Sequence, residues 1–373
     1  MTKHYDYHLA IMRGSSQYVS PENYNVQEIG LGKALANLGW KITIFSSGKG
    51  KDSKIISDCI TWHELPRIGG KFGWVRGAYS HLVNEKPDII QCQDLSNLGV
   101  SSAYRAARKT NVPLVLSLGE YEANKKAKSA IINLNANIIR PSLQGVLCKT
   151  KSAINFAEDL RLLKTHYCPV GIDPSAYDQE VTSSIHVMME SIKEAKENGD
   201  TILVHIGRMD KEDNVSFLLN TVRKMKQKVK LILIGEPVTY VKHLEIYKEV
   251  SDRIILLGKV PNSQIGHLLN LADTYLACSS YEIFGMAAAE SIYHNCPVVG
   301  FATGGISEII SHLHNGFLMD SRDSVHWAES LDTFIKDEKF KKWKVGCQIS
   351  GNSFSWSSRA ISYDNVYRQL VTK

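Results

Sequence analysis

Along the first half of the chain, short apolar runs alternate with stretches of helical spacing. His8 to Arg13, Lys41 to Ser46, Asp88 to Cys92, Pro113 to Leu118 and Gln144 to Lys149 read as strands. Between them, Val26 to Leu38 places Val26, Ile29, Leu31, Ala34, Leu35 and Leu38 on one broad apolar stripe, and Leu95 to Lys109 and Lys151 to Leu160 are similar. Strands alternating with helices predict a parallel sheet covered on both faces. The pattern restarts after a break formed by the turn-rich Pro169 to Pro174 and the polar, charge-dense Gln179 to Gly199. Thr201 to Ile206, Lys230 to Gly235, Arg253 to Leu257, Thr274 to Ala277 and Pro297 to Phe301 form a second set of strands. Ser357 to Leu370 carries Ile361, Tyr363, Val366, Tyr367 and Leu370 at helical spacing, with no strand after it, so it is expected to be a helix packed on one of the domains.

The length, 373 residues, exceeds what a single hydrophobic core supports, so the pattern describes two doubly wound, Rossmann-like α/β domains with a cleft between them. Ligands in such sheets bind beyond the carboxyl ends of the strands, which directs attention to the strand-to-helix junctions. Composition excludes other classes. With 43% hydrophobic and 22% charged residues the chain is an ordinary globular protein. It contains no apolar run of the roughly 18 residues needed to span a bilayer, and Met1 to Arg13 is too polar for a signal peptide. A cytoplasmic location is expected. The seven cysteines are scattered and never spaced Cys-x-x-Cys, so they read as small buried hydrophobes and point neither to a disulfide framework nor to zinc. The net charge of +6 is modest, but eleven Lys or Arg face four acids between Ser101 and Lys164. That stretch holds Lys125, Lys126 and Lys128 ahead of the apolar run Ile131 to Ile139. It reads either as a solvated helix face or as a peripheral contact with anionic membrane.

The most informative junction follows the strand Thr274 to Ala277 and runs Ser279-Ser280-Tyr281-Glu282-Ile283-Phe284-Gly285-Met286-Ala287-Ala288-Ala289-Glu290. One glutamate lies in the loop, and Glu290 sits about 7.5 Å of helix rise beyond Gly285. The two carboxylates can therefore hold different hydroxyl-bearing parts of one extended ligand. The free N–H groups of the helix start, Gly285 to Ala287, favour a phosphate between them. Because Met286, Ala287, Ala288, Ala289 and Ile292 make that helix apolar nearly all round, Glu290 is expected to be buried and to need a partner.

A second junction, Gly207-Arg208-Met209-Asp210-Lys211, sets a guanidinium at a strand end, where it matches two phosphate oxygens. A third, Thr303-Gly304-Gly305-Ile306-Ser307-Glu308, gives a Gly-Gly turn into a helix with an acid in its first turn. Near the start, Gly14 follows the first strand and lets backbone approach a ligand. Gly30-Leu31-Gly32 resembles part of a dinucleotide fingerprint, but it lies within a helical pattern, away from the exit of the first strand, which argues against a nicotinamide enzyme. No Asp-x-Asp occurs, so no metal or other cofactor is indicated. Arg208 and helix dipoles are expected to meet leaving-group charge.

The set Pro169 to Asp173, Gly207-Arg208-Met209, Leu231 to Gly235, Glu282 with Glu290, Pro297-Val298-Val299, Gly304-Gly305 with Glu308, and Asn315-Gly316 resembles the retaining glycosyltransferases of family four. The likeness continues through Asn25 to Leu31 and Phe354-Ser355-Trp356. It implies the GT-B fold: an amino-terminal acceptor domain (1–172), a donor domain (173–355) and a terminal helix (356–373) that returns to the first domain. It implies a nucleoside-diphosphate sugar as co-substrate, a UDP-sugar in preference to a GDP-sugar. Its roles place Glu290 on the ribose, Arg208 on the diphosphate and Glu282 on the transferred hexose, so that Arg208 and Glu282 carry the catalysis, without a metal. Gly14, Lys211, Ile283, Phe284, Gly285, Met286 and Ala287 complete the donor contacts. Gln93, Asp94, Glu120 and Tyr121 fall on the acceptor side. The implied reaction transfers hexose to a saccharide or lipid-linked acceptor in envelope polysaccharide synthesis. This sequence departs from the family in having Asp213 where a lysine is usual, and Gly119-Glu120-Tyr121 where a histidine is common. Two rival functions are a sugar-nucleotide epimerase and a non-catalytic subunit that kept the fold.

Overall fold

The computed structural model describes residues 5–14, 20–21, 26–48, 50, 53–68, 73–119, 126–177, 179–210 and 212–371. The chain forms two compact units: unit 1 comprises Met1–Gly171 together with Trp356–Lys373, and unit 2 comprises Ile172–Ser355.

Unit 1 opens with β1 (Tyr7–Arg13), α1 (Gln27–Ala36) and β2 (Trp40–Gly48), followed by β3 (Ser53–Ser57), β4 (Ile60–Ile68) and β5 (Trp74–Val75). It continues through α2 (Ala78–Glu85), β6 (Ile89–Gln93), α3 (Gly99–Thr110) and β7 (Leu114–Leu118). Then come α4 (Lys126–Ile139), β8 (Leu143–Cys148), α5 (Lys151–Asp159) and β9 (Thr165–Tyr167). The sheet order is β3-β4-β2-β1-β6-β7-β8-β9, parallel from β4 to β9, with β3 and β5 antiparallel to β4. The interior strands are continuous apolar runs because helices cover both faces. Ala10, Met12, Ile90, Leu116 and Val146 pack one face against Ala103, Ala106 and Ala107 of α3.

Unit 2 runs α6 (Ser183–Glu197), β10 (Thr201–Ile206), α7 (Glu212–Lys224), β11 (Val229–Ile234), α8 (Val238–His243), α9 (Glu245–Val250) and β12 (Ile254–Gly258). It continues through α10 (Asn262–Leu271), β13 (Thr274–Ala277), α11 (Met286–Tyr293), β14 (Val298–Phe301), α12 (Ile306–Ile309) and β15 (Gly316–Met319). Two further helices, α13 (Ser324–Lys336) and α14 (Lys339–Ser350), complete it. All six strands are parallel, in the order β12-β11-β10-β13-β14-β15. The first strand in sequence, β10, lies between β11 and β13, so the winding reverses there. Ile172 and Ser355 form a parallel bridge that brings the two ends of unit 2 together.

The last helix, α15 (Trp356–Val371), belongs to unit 1. Trp356 sits where a side chain on Gly30 would collide with its indole. Tyr363 donates to the Cys168 carbonyl at 2.6 Å, Tyr367 donates to the Gln91 amide oxygen, and Trp40 donates to Asp364 at 2.7 Å. Gly30 thus serves helix packing, in accord with its position inside α1.

Two expectations need correction. The polar stretch Gln179 to Gly199 is largely the helix α6, because Ile185, Ile192 and Ala195 recur on one face and are buried. The apolar run Ile131 to Ile139 is mostly core: Ile132, Ala136 and Ile139 are buried and only Leu134, 52% exposed, stands out. Lys125 and the side chains of Lys126 and Lys128 lie outside the described residues. Among the described residues no helix is long and apolar enough to cross a membrane.

Candidate active site

The reversal between β10 and β13 carries a cavity of about 190 Å³. Its walls include His205, Gly207, Arg208 and Asn214 from the β10 side, and Tyr275, Ser279, Glu282 and the first turn of α11 from the β13 side. Glycines make these junctions possible. Gly285 takes φ +90° at the entry to α11, a left-handed conformation that disfavours a side chain. A Cβ on Gly304 or Gly305 would collide with the backbone of Glu282 or Phe284, and Gly305 N–H instead donates to the Glu282 carbonyl at 3.0 Å. The Gly-Gly turn therefore holds the glutamate loop from below, assisted by Thr303 Oγ1 donating to the Ser280 carbonyl at 3.2 Å.

Arg208 leaves β10 just beyond Gly207, whose N–H donates to the Ile234 carbonyl at 3.0 Å. Its neighbour Met209 is buried as an anchor, while the Arg208 side chain is 73% exposed. The guanidinium forks onto Asp210, Nε reaching Oδ1 at 3.0 Å and a second nitrogen reaching Oδ2. The hydrogen bond and charge of Asp210 raise the basicity of Arg208 still further, so the cation persists at any working pH. Glu282 lines the cavity. Glu290 is 3% exposed on the buried side of α11 and does not line the cavity. The Tyr275 phenol in that wall is pushed well up, first by burial and then by the charges of Cys278, Glu282 and Glu290.

Of the residues named from the sequence, Arg208, Glu282, Gly285, Met286 and Ala287 thus share one cavity. Ile283 is 42% exposed and Phe284 is buried, and neither lines it. Gly14 belongs to unit 1, packed against the Asn97 side chain. Gln93 ends β6, and Asp94 follows it with φ +67° and accepts from Ser96 N–H and Oγ at 2.7 and 2.8 Å. Lys211, Glu120, Tyr121 and the side chain of Asp213 lie outside the described residues.

Sequence reasoning missed His205, Tyr275, Asn214 and Ser279. The His205 ring is buried and stacks on Tyr275 with 5° between planes. Burial lowers its pKa, and Nδ1 donates to the Leu276 carbonyl at 2.8 Å, which leaves Nε2 as an acceptor on the cavity side. One signal was available: His205 is a lone ionisable residue within the otherwise apolar core of β10. Among the described residues no group of three or more His, Cys, Asp or Glu is placed to hold a metal ion. Six of the seven cysteines are buried and all are free thiols.

Two parallel doubly wound units, the second with its cavity at the winding reversal, define a GT-B architecture. Residues 189–344, all within unit 2, match the family described as glycosyl transferases group 1, and the chain is similar to several glycosyltransferases. N-acetyl-alpha-D-glucosaminyl L-malate synthase of Bacillus anthracis is 30% identical over 147 residues, which are 38% of this chain and 38% of that protein. The chain thus spans well under two thirds of that relative. An uncharacterized glycosyltransferase of Methanocaldococcus jannaschii is 25% identical over 308 residues, 76% of each protein. The crystal structure of Anabaena HepE in complex with UDP superposes with a TM-score of 0.74 at 17% identity, covering 97% of this chain and 100% of that one.

Proposed function

We propose that the chain transfers a hexose, with retention of configuration, from a nucleoside-diphosphate sugar to a saccharide or lipid-linked acceptor in the synthesis of cell-envelope polysaccharide or glycoconjugate. The observation that carries this reading is the cavity at the β10/β13 reversal. There an exposed guanidinium, a carboxylate and the opening N–H groups of an eight-residue helix meet in a group 1 domain. A UDP-sugar is the favoured donor, supported by the UDP complex of the structurally similar HepE.

In this reading Arg208, helped by Lys211 and the N–H groups of Gly285 to Ala287, faces the diphosphate. Glu282 holds the hexose, and Glu290, buried in α11 just beyond the lining residues Ala287 and Ala288, has the ribose role that the family resemblance implies. Unit 1 supplies the acceptor-side residues Gln93, Asp94, Glu120 and Tyr121. The bond from the anomeric carbon to the phosphate oxygen breaks, and the nucleoside diphosphate leaves with the electron pair. The acceptor hydroxyl oxygen bonds to the same face of that carbon, and its proton passes to the departing phosphate oxygen. Preorganised donors aimed at the growing phosphate charge stabilise this step without a protein-held metal. A cytoplasmic enzyme at the inner face of the membrane suits a lipid-linked acceptor, and the excess of basic over acidic residues in the stretch 101–164 motivates peripheral contact there.

The test is a panel of UDP-, GDP- and ADP-sugars assayed for release of free nucleoside diphosphate with saccharide and lipid-linked acceptors, product configuration being read by NMR. Release with a UDP-sugar and a retained anomer is expected. No release with any donor, together with no thermal shift from any nucleoside diphosphate, would sink the proposal.

A further inference from the structure

Behind the cavity wall lies a cation that no part of the foregoing chemistry uses. Arg322, between β15 and α13, donates through Nε to the Cys278 carbonyl at 2.9 Å and through a terminal nitrogen to Asn214 Oδ1 at 2.8 Å. Its guanidinium lies 5.1 Å above the Phe217 ring. Asn214, 7% exposed in the first turn of α7, in turn donates through Nδ2 to Ser279 Oγ at 3.2 Å. Asn214 and Ser279 line the cavity, whereas Arg322 does not. The contacts join residues 108 and 65 positions apart in sequence.

The direction of this chain follows from chemistry alone. Arginine has donors and no acceptor, so the amide of Asn214 must turn its oxygen toward Arg322 and its NH₂ toward Ser279. Ser279 Oγ is then an acceptor from the amide, and its own hydrogen is committed to none of the described residues. A hydroxyl polarised from behind by a charged donor and an aligned amide is a stronger donor than an isolated serine. The arrangement presents one more hydrogen-bond donor to the cavity and delivers positive potential there without exposing a second cation. An anionic oxygen is the partner it fits.

We infer that Ser279 donates to a phosphate oxygen of the bound nucleoside diphosphate, with Asn214 and Arg322 as positioning residues that orient its hydroxyl. This rests on the donor-site reading above. Asn214→Asp isolates the polarity: a carboxylate still accepts from Arg322 but also accepts from Ser279, turning the serine hydrogen away from the cavity.

The experiment is titration calorimetry of UDP (or GDP or ADP, if wild type binds one of these more tightly) and of the matching nucleoside. Wild type, Ser279→Ala, Asn214→Ala and Asn214→Asp are compared after their thermal unfolding midpoints are measured. Diphosphate affinity is expected to fall about fivefold in Ser279→Ala and at least tenfold in Asn214→Asp, with Asn214→Ala between them and nucleoside affinity unchanged. Equal diphosphate affinity in Asn214→Asp and Asn214→Ala would overturn the inference, since a purely structural asparagine is indifferent to polarity. If Asn214→Asp fails to fold, wild-type affinity in Ser279→Ala overturns it equally. Wild type that binds no nucleoside diphosphate at all defeats the donor-site reading as well. Tight binding by wild type with unchanged variants defeats this inference alone.

Discussion

The two units share a winding pattern but treat the polar groups at their strand ends in opposite ways. In unit 1 these groups close on one another: Arg13 pairs with Glu28, Lys149 donates to Gln27 at 3.0 Å, Asp94 accepts from Ser96, and Asn135 donates to the carbonyls of Leu95 and Asn97 at 2.8 Å. Glu28 is 2% exposed, and desolvation lowers the pKa of the Lys149 ammonium despite the nearby charge of Glu28. In unit 2 only Arg322 stands back from the cavity: it holds Asn214, which holds Ser279, and both of these face the same open cavity as Arg208 and Glu282. Strand topology thus selects where polar groups gather. Whether they are left facing open space decides if they act on a ligand or on stability.

That contrast can be broken most directly at Glu28. Glu28→Gln strands the Arg13 guanidinium without its anion and is expected to cost roughly 3–5 kcal/mol in urea unfolding. A loss below about 1 kcal/mol would mean that the unit 1 cluster is not structural. Next in size is the acid sensitivity of unit 2. Burial, aided by the charge of His267, lowers the His294 pKa to about 4. An unfolded histidine titrates near ~6.5, so between these values only the unfolded chain takes up the proton. The stabilisation is complete above pH ~6.5 and falls away as the pH drops toward 4, by about 3 kcal/mol over the full range. His294→Gln should flatten that part of a pH–stability profile.

Arg208→Ala sharpens the comparison from the other side. Transfer should slow about a hundredfold while the unfolding midpoint stays within about 1 °C of wild type. A variant with unchanged turnover removes Arg208 from the leaving-group site. The smallest effect expected is at Thr150, whose hydroxyl accepts from the Ala153 N–H at 3.1 Å and caps α5. Thr150→Ala should cost about 1 kcal/mol in calorimetry and leave donor affinity unaltered.

The alternation of apolar runs and helical stripes made the fold class legible, and strands β1, β2, β6, β7, β8 and β10 to β14 coincide with the predicted runs to within a residue or two. What escaped is β4, which lies between β2 and β3, and the short or exposed strands. β3 is Ser-Lys-Ile-Ile-Ser with nearly every side chain in solvent, so nothing in its pattern marks a strand. β9 has only three residues, too few for a period to register, and β15 opens on the glycine of a turn signal, Asn315-Gly316. α6 hid behind its charges because its three buried residues lie seven and three positions apart. At the site, glycine beside charge at a strand exit made Arg208, Glu282 and the α11 entry readable. Asn214, Ser279 and Arg322 carry no such mark, since the relation among them exists only once three distant segments have folded together.

The bridge between Ile172 and Ser355, with Trp356 directly packed on Gly171, makes unit 2 an insertion whose two ends leave side by side. During synthesis, unit 1 therefore waits for α15 until all of unit 2 has emerged from the ribosome. Residues 172–355 form a contiguous stretch suited to expression as an independent domain, and the two parts of unit 1 are close enough to be rejoined by a short peptide.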